Sequence, residues 1–219
     1  MKLLSIFKAR SIWLGHLDDF NPLGINLFPI MTSVLVQTYK FIKFPTYDDF
    51  KKDKKPDSLV FEFGEFQNFK NLSIGIGLTI HPDGFVADTN SSTVDSDYFL
   101  ADMLNRVSEA ANLPLYKEII QKQLYLSQLY VTTDKRIEII NPKLKQISKY
   151  LSDNVEEDKS FEVSGLSFWP DQTSKVNPAA FTFERALNVP FAENRYFSTA
   201  PLPTDKHLEL LNKLEKLLS

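Results

Sequence analysis

Residues 72–89 (LSIGIGLTIHPDGFVADT) constrain the fold most, because they specify both a local structure and a buried face. Apolar side chains alternate there with small or polar ones, at the two-residue period of a β-strand: Leu72, Ile74, Ile76, Leu78 and Ile80. Pro82, Asp83 and Gly84 then supply turn chemistry, since proline presets φ, aspartate bonds to the local backbone and glycine accepts positive φ. The pattern predicts a β-hairpin whose apolar face packs inward, beneath the helix that follows it.

The composition predicts a large core that needs no disulfide or metal. The chain has 219 residues, of which 43% are hydrophobic, and a chain of this size buries roughly 70% of its unfolded surface. It has no cysteine, which excludes thiol chemistry and fits a reducing compartment. The net charge of −3 disfavours a protein that mainly coats nucleic acid or an anionic membrane.

No targeting or membrane segment is predicted. The first apolar run is interrupted by Lys8 and Arg10 and lacks a small-residue cleavage site. No later segment reaches the roughly 18 apolar residues of a transmembrane helix. We therefore expect a cytoplasmic protein with no membrane partner. We expect a single domain over 1–219, with halves at 1–115 and 116–219 as the alternative.

Hydrophobic periodicity predicts the other elements. Strands are expected over 11–17, 58–66, 124–132, 160–169 and 179–189. Helices are expected over 96–111, around Leu144, Ile147 and Leu151, and from Thr204 onward. Residues 28–44 fit a helix or a strand, and we favour the helix. Residues 47–57 predict a solvated connection, and 170–178 predict a wide hairpin loop.

These elements predict an α+β fold with a largely antiparallel sheet, or pair of sheets, and three to four helices on one face. Residues 87–104 and 197–211 each fit a strand, a loop and a capped helix. As a hypothesis, the chain contains two similar α+β halves that share a sheet or pack sheet to sheet.

Acidic residues gather at the far end of the hairpin and in the helix after it: Asp83, Asp88, Asp95, Asp97 and Asp102. Hard cations need two or three converging carboxylates, so Asp83, Asp88, Asp95 and Asp97 are the candidate metal ligands. Such a site predicts a divalent-metal-dependent phosphodiesterase or similar hydrolase. A structural explanation is favoured, since Asp83 suits a turn and Asp95 and Asp97 suit a helix start.

Other catalytic and cofactor motifs are absent from the sequence. His16, His81 and His207 stand in no zinc-binding frame, and there is no G-x-S-x-G elbow. Gly75 and Gly77 are spaced as G-x-G, but they lie inside a predicted strand and lack the third glycine of a dinucleotide fingerprint. We expect no cofactor.

Gly75 and Gly77 remain the most informative irregularity, because glycine weakens a strand and is usually kept for a bulge or a close approach. Either a helix of this protein lies over them, or a partner or ligand sits on that face. We favour the helix and keep Gly75 and Gly77 as candidate partner-binding residues.

Residues 183–197 combine arginine with aromatic residues, as single-stranded nucleic-acid sites do. Glu184 and Glu193 dilute the positive charge, and strand and core packing explain the aromatic residues better. A single-stranded nucleic-acid-binding module is therefore the second alternative function.

The leading expectation is a non-catalytic binding or assembly protein, an accessory subunit of a larger complex that acts through protein contact. It follows from a well-patterned chain without a catalytic constellation. The metal-dependent hydrolase is the first alternative. The residues do not identify the partner, and they leave self-association open.

Overall fold

The structure is a computed structural model that describes residues 1–46, 49, 57–155, 160–171, 173 and 177–218. It confirms the predicted α+β class, with an eight-stranded antiparallel sheet and helices of 10 to 19 residues beside shorter ones. The predicted connection 47–57 falls mostly outside the described residues, and the predicted loop 170–178 falls partly outside them.

The strands are β1 (Lys2–Leu14), β2 (Leu59–Gln67), β3 (Ser73–His81), β4 (Gly84–Thr89), β5 (Lys122–Thr132), β6 (Gly165–Phe168), β7 (Phe181–Arg185) and β8 (Arg195–Ala200). The helices are α1 (Leu17–Phe20), α2 (Leu27–Tyr39), α3 (Thr93–Ala111), α4 (Lys145–Asn154) and α5 (Thr204–Leu217). Residues 28–44 therefore form a helix over most of their length. The strands are hydrogen-bonded in the order β2-β3-β4-β1-β5-β8-β7-β6.

Apart from the short helix α1, the same order of strands and α-helices occurs twice along the chain. A long strand, a helix, a three-stranded meander and a second helix appear first as β1, α2, β2-β3-β4 and α3. They appear again as β5, α4, β6-β7-β8 and α5. In both cases the last strand of the meander lies beside the long strand. The two similar halves stay a hypothesis, and the repeated element order supports it.

Contacts divide the chain into two compact units. The N-terminal unit comprises Lys8–Ser127 and Leu202–Thr204, and the C-terminal unit comprises Met1–Phe7, Gln128–Pro201 and Asp205–Ser219. The boundary falls inside β5 and not at residues 115 and 116. It also assigns the first residues of β1 to the C-terminal unit.

The predicted hairpin forms the centre of the N-terminal unit. Ile74, Ile76, Leu78 and Ile80 are buried on one face of β3, as the alternation predicted. Leu72 departs from the prediction: it precedes the strand and is 58% exposed. The helices α2 and α3 supply the rest of this core: Leu27, Met31, Leu35, Tyr39, Phe99, Leu100, Met103, Leu104 and Val107.

Gly84 is required for a reason other than the positive φ that the sequence predicts. It has no positive φ, but a Cβ atom there would lie 2.4 Å from the carbonyl oxygen of Trp13 on β1. The residue is therefore needed for the close approach of two strands, and Pro82 and Asp83 alone form the turn.

A side-chain cap at Ser92 begins α3, three residues earlier than predicted. The Ser92 hydroxyl accepts a hydrogen bond from the Asp95 amide (3.1 Å) and donates one to the Asp95 carboxylate (2.9 Å). Thr93 follows, and its hydroxyl accepts a hydrogen bond from the Thr204 amide (2.9 Å). The Thr93 amide in turn donates to the Thr204 hydroxyl (3.1 Å). These two threonines begin equivalent helices of the repeat, and each caps the other.

The core of the C-terminal unit is smaller. It consists of buried residues of β5, β7, β8, α5 and a short helical turn at Ile137–Ile140: Leu129, Val131, Ile137, Phe183, Tyr196, Leu211 and Leu214. The helix α4 contributes none of its ten residues, all of which the structure describes, to the buried set. Three strands also differ markedly from prediction: β1 is longer than 11–17, β6 is shorter than 160–169, and β7 is shorter than 179–189.

Candidate functional site

Gly75 and Gly77 lie on the face of β3 opposite its buried isoleucines, and the predicted covering helix is on the other side. A Cβ atom built on Gly75 would have no described atom within 4 Å. On Gly77 its nearest neighbours, Asp88 Cβ and the Phe61 carbonyl oxygen, would be 3.9 Å away. Internal packing therefore does not explain either glycine.

The two glycines form the floor of a concave surface of about 570 Å³ in the N-terminal unit, which we call the trough. Its lining comes from four strands and the loop after β4: Lys8, Glu62, Phe63, Gly64, Ser73, Ile74, Ile76, Asp88, Asn90 and Ser91. The apolar side chains of Ile74 and Ile76 are buried on the core side. The floor is therefore largely backbone.

A β-bulge shapes one wall of the trough. Phe61 pairs with Leu78 and Gly64 pairs with Ile76, so one extra residue is accommodated between Phe61 and Gly64. Phe63 has φ of 58° there, a left-handed conformation, and its side chain is exposed. A Cβ atom on Gly64 would lie 2.6 Å from the Phe41 ring, which explains that glycine. The bulge thus sets an aromatic side chain beside the glycine floor.

Charged residues form the opposite wall. Asp88 lies between Gly77 and Arg10 in the strand register. Arg10 donates two hydrogen bonds of 2.7 Å to the Asp88 carboxylate, and these raise the pKa of Arg10. Lys8 Nζ lies 3.7 Å from the same carboxylate. Among the described residues, two cations therefore share one anion at this wall, which leaves a positive charge in excess.

The structure does not bring the candidate metal ligands together. Asp88 is held by Arg10 in the trough wall, while Asp95 is held by Ser92 at the start of α3 and accepts a hydrogen bond from Asn68. Asp97 accepts a hydrogen bond of 2.8 Å from Trp13 Nε1. Asp83 lies in the hairpin turn, where its carbonyl oxygen accepts a hydrogen bond from the Gly15 amide. Within the described ranges, no three His, Cys, Asp or Glu residues are placed to hold a metal ion.

Asp102 belongs to a polar cleft that the sequence did not predict. Its carboxylate accepts hydrogen bonds from the Tyr39 hydroxyl (2.7 Å) and from Arg106 Nε (2.9 Å). Burial and the bond to Asp102 raise the pKa of Tyr39, so the phenol stays protonated. The cleft has a volume of about 370 Å³. Its central groups hydrogen bond to each other, so they tie α2 to α3.

Ser198 and His207 form a second unpredicted polar pair. The Ser198 hydroxyl lies 2.8 Å from His207 Nε2 and donates to the Thr182 carbonyl oxygen (2.8 Å). Burial lowers the pKa of His207 to about 4, so the imidazole is neutral at pH 7. Serine and histidine are both fully buried, which closes the pair to a substrate in this structure. Its contribution is to the structure of the C-terminal unit.

The arginine and aromatic residues of 183–197 do not form a continuous stacking surface. Phe183 and Tyr196 stack on each other inside the core, with ring centroids 4.4 Å apart. Arg185 pairs with Glu162 and lies over the Phe191 ring, 4.6 Å from its centroid. Because Phe183 and Tyr196 are buried in the core, they are unavailable for stacking on bases.

The fold and the trough define a class: an α+β protein with a glycine-floored, partly charged concavity on an open sheet face. No helix in the described part of the chain is both long and apolar enough to cross a membrane. No protein-family model matches the chain, and no curated protein matches it. Function must therefore be inferred from the site alone.

Proposed function

We propose that this protein is a non-catalytic binding protein, an accessory subunit that holds an extended segment of a partner protein in the trough. The observation that carries the proposal is the open space above Gly75 and Gly77. Glycine in a strand lowers stability, and a close approach by another chain is a reason to keep it.

The spacing of the floor suits an extended segment. Gly75 and Gly77 are two residues apart on one strand face, so their Cα atoms are separated by about 6.7 Å. Side chains on one face of an extended peptide repeat at the same distance. Two side chains on the same face of a bound segment, two residues apart, can therefore occupy the spaces that the missing Cβ atoms leave.

The walls favour a partner segment with an acidic residue and an apolar one. Within the part of the chain that the structure describes, Lys8 and Arg10 share only Asp88, so a carboxylate from the partner would balance the remaining charge. Phe63 is 60% exposed beside the floor, and exposed aromatic residues at the edge of a concavity are frequent anchors in protein interfaces. We therefore expect binding to weaken as ionic strength rises.

The test is a selection of phage-displayed random peptides on the wild-type protein, followed by affinity measurements on synthetic peptides. Gly75→Val fills the floor, so the selected peptides should lose at least about tenfold in affinity. Thr79→Val is the matched control, because Thr79 lies on the same face of β3 outside the trough lining. It should leave the affinity unchanged.

Stability measurements on the same variants separate binding from folding. Because a Cβ atom at position 75 meets open space and φ there is not positive, valine should preserve or raise stability, by up to about 1 kcal/mol. Peptides that bind Gly75→Val as tightly as wild type would contradict the proposal. So would a selection that enriches no peptide.

A further inference from the structure

The helix α4 presents its apolar side to solvent. Apolar residues at intervals of three and four residues run along one face of α4, from its N-cap residue onward: Leu144, Ile147 and Leu151. All of them are exposed, with Ile147 at 58%. We call this set the α4 stripe. An amphipathic helix is normally stabilised by burying such a face, so the stripe requires an apolar partner.

The spacing of the α4 stripe is symmetric about its centre. Leu144 and Leu151 lie at equal distances from the point between Ile147 and Ser148. A copy of the helix related by a two-fold axis at this point runs antiparallel. It places Leu144 against Leu151 of the copy, and Leu151 against Leu144, which is the self-complementarity of an isologous interface.

The charges of α4 oppose its own dipole. Lys143 and Lys145 lie at its beginning and Asp153 lies near its end, whereas an isolated helix is stabilised by the reverse order. Lys145 is paired with Glu138, at 3.8 Å. Lys143 and Lys149 form no ion pair with a described residue. In an antiparallel pair, the lysines of each helix lie beside Asp153 and the negative dipole end of the other.

From these two complementarities we propose that α4 pairs antiparallel with α4 of a second copy of this chain, across a two-fold axis near Ile147. A helix of ten residues is about 15 Å long. A contact along one helix of this length buries less surface area than the roughly 1,600 Å² of a typical stable interface. The association is therefore weak and depends on concentration. This pairing involves α4 alone and does not depend on the trough.

Sedimentation velocity from about 1 µM to about 500 µM tests the pairing. The wild-type protein should shift from monomer to dimer as concentration rises. Ile147→Asp should remain monomeric, because the axis would place two carboxylates in contact. Leu187→Asp is the matched control: Leu187 is 88% exposed in the same unit but lies outside the α4 stripe, so this variant should dimerise as wild type does.

Charge reversal tests the antiparallel direction. Lys143→Glu should weaken the dimer at least about threefold, because the introduced carboxylate would face Asp153 of the copy. The double variant Lys143→Glu with Asp153→Lys should restore it, since opposite charges face each other again. In a parallel pair, where like positions meet, the double variant would restore nothing.

Three results would overturn the proposal. The first is a wild-type protein that stays monomeric at about 500 µM. The second is a dimer that survives Ile147→Asp. The third is binding of the monomer to vesicles of phosphatidylcholine and phosphatidylserine that Ile147→Asp abolishes, which would assign the α4 stripe to a membrane surface.

Discussion

The two units repeat one order of elements but use the helix inside it differently. In the N-terminal unit, α2 buries Leu27, Met31, Leu35 and Tyr39 in the core. In the C-terminal unit, α4 occupies the same place in the order and has no buried residue among its ten, all described. Identical topology therefore gives one unit a complete core and leaves the other with an apolar helix face for association.

The difference follows from the two helix sequences. Buried residues of α2 recur at every fourth position, and Ile30 and Val34 beside them are partly buried, so a broad apolar face of this helix meets the core. Within α4 only Ile147 and Leu151 are aliphatic, and Ser148, Lys149 and Tyr150 separate them. A narrow stripe on a polar helix suits pairing with another helix better than burial in a core.

The largest expected effect tests this contrast directly. Leu35→Ala removes a fully buried side chain from α2 and leaves a cavity, so it should lower the free energy of unfolding by about 2–5 kcal/mol. Ile147→Ala in α4 should change it by less than about 0.5 kcal/mol. Urea denaturation at low protein concentration measures both.

Similar losses in both variants would show that α4 packs in solution as α2 does, and the contrast between the units would be wrong. The low concentration matters because it keeps association through the α4 stripe out of the comparison.

Acid should destabilise the C-terminal unit, because protonation of His207 favours the unfolded state. Its folded-state pKa is lowered from 6.5 to about 4 by burial, so below pH 6.5 the unfolded state binds a proton that the folded state does not. Stability is therefore fully present above pH 6.5 and is lost as pH falls toward 4, by about 3 kcal/mol in all. Urea denaturation at several pH values measures this slope.

His207→Gln supplies the control, because glutamine does not titrate and can still hydrogen bond to Ser198. The wild-type slope between pH 6.5 and 4 should exceed that of the variant by about 1.4 kcal/mol per pH unit. Equal slopes would mean that His207 is not buried in solution.

The smallest of the three effects concerns the reciprocal caps. Thr204→Val removes the acceptor of the buried Thr93 amide, which should cost about 1–2 kcal/mol. Thr204→Ser keeps the hydroxyl and should cost less than about 0.5 kcal/mol. Thermal unfolding measured by circular dichroism tests both, and equal melting temperatures for the valine and serine variants would exclude the cap.

The glycines show how far sequence reasoning reached. The alternation in β3 predicted its buried face, because burial of alternate residues is a local property of a strand. It also marked Gly75 and Gly77 as irregular. The favoured explanation, a covering helix, does not fit the open space above Gly75, since the face on which a helix packs depends on distant connections.

The contacts of the trough walls and the polar pairs could not be predicted from the sequence either, because they depend on residues that are distant along the chain. Arg10 and Asp88 are 78 residues apart, and Ser198 meets His207 only because β8 and α5 pack together. No periodicity within a segment encodes such pairs. The acidic residues illustrate the converse, because their sequence proximity suggested convergence that the fold does not produce.

The sequence by itself determined the α+β class, most of the helices and strands, and the buried face of the hairpin, because side-chain periods of two and 3.6 residues record which face meets the core. Tertiary structure alone decided that no described residue covers Gly75 or buries α4, and that the acidic side chains near the hairpin meet different partners. These outcomes depend on which strands pair across long separations, and that choice is made by the free energy of the whole fold.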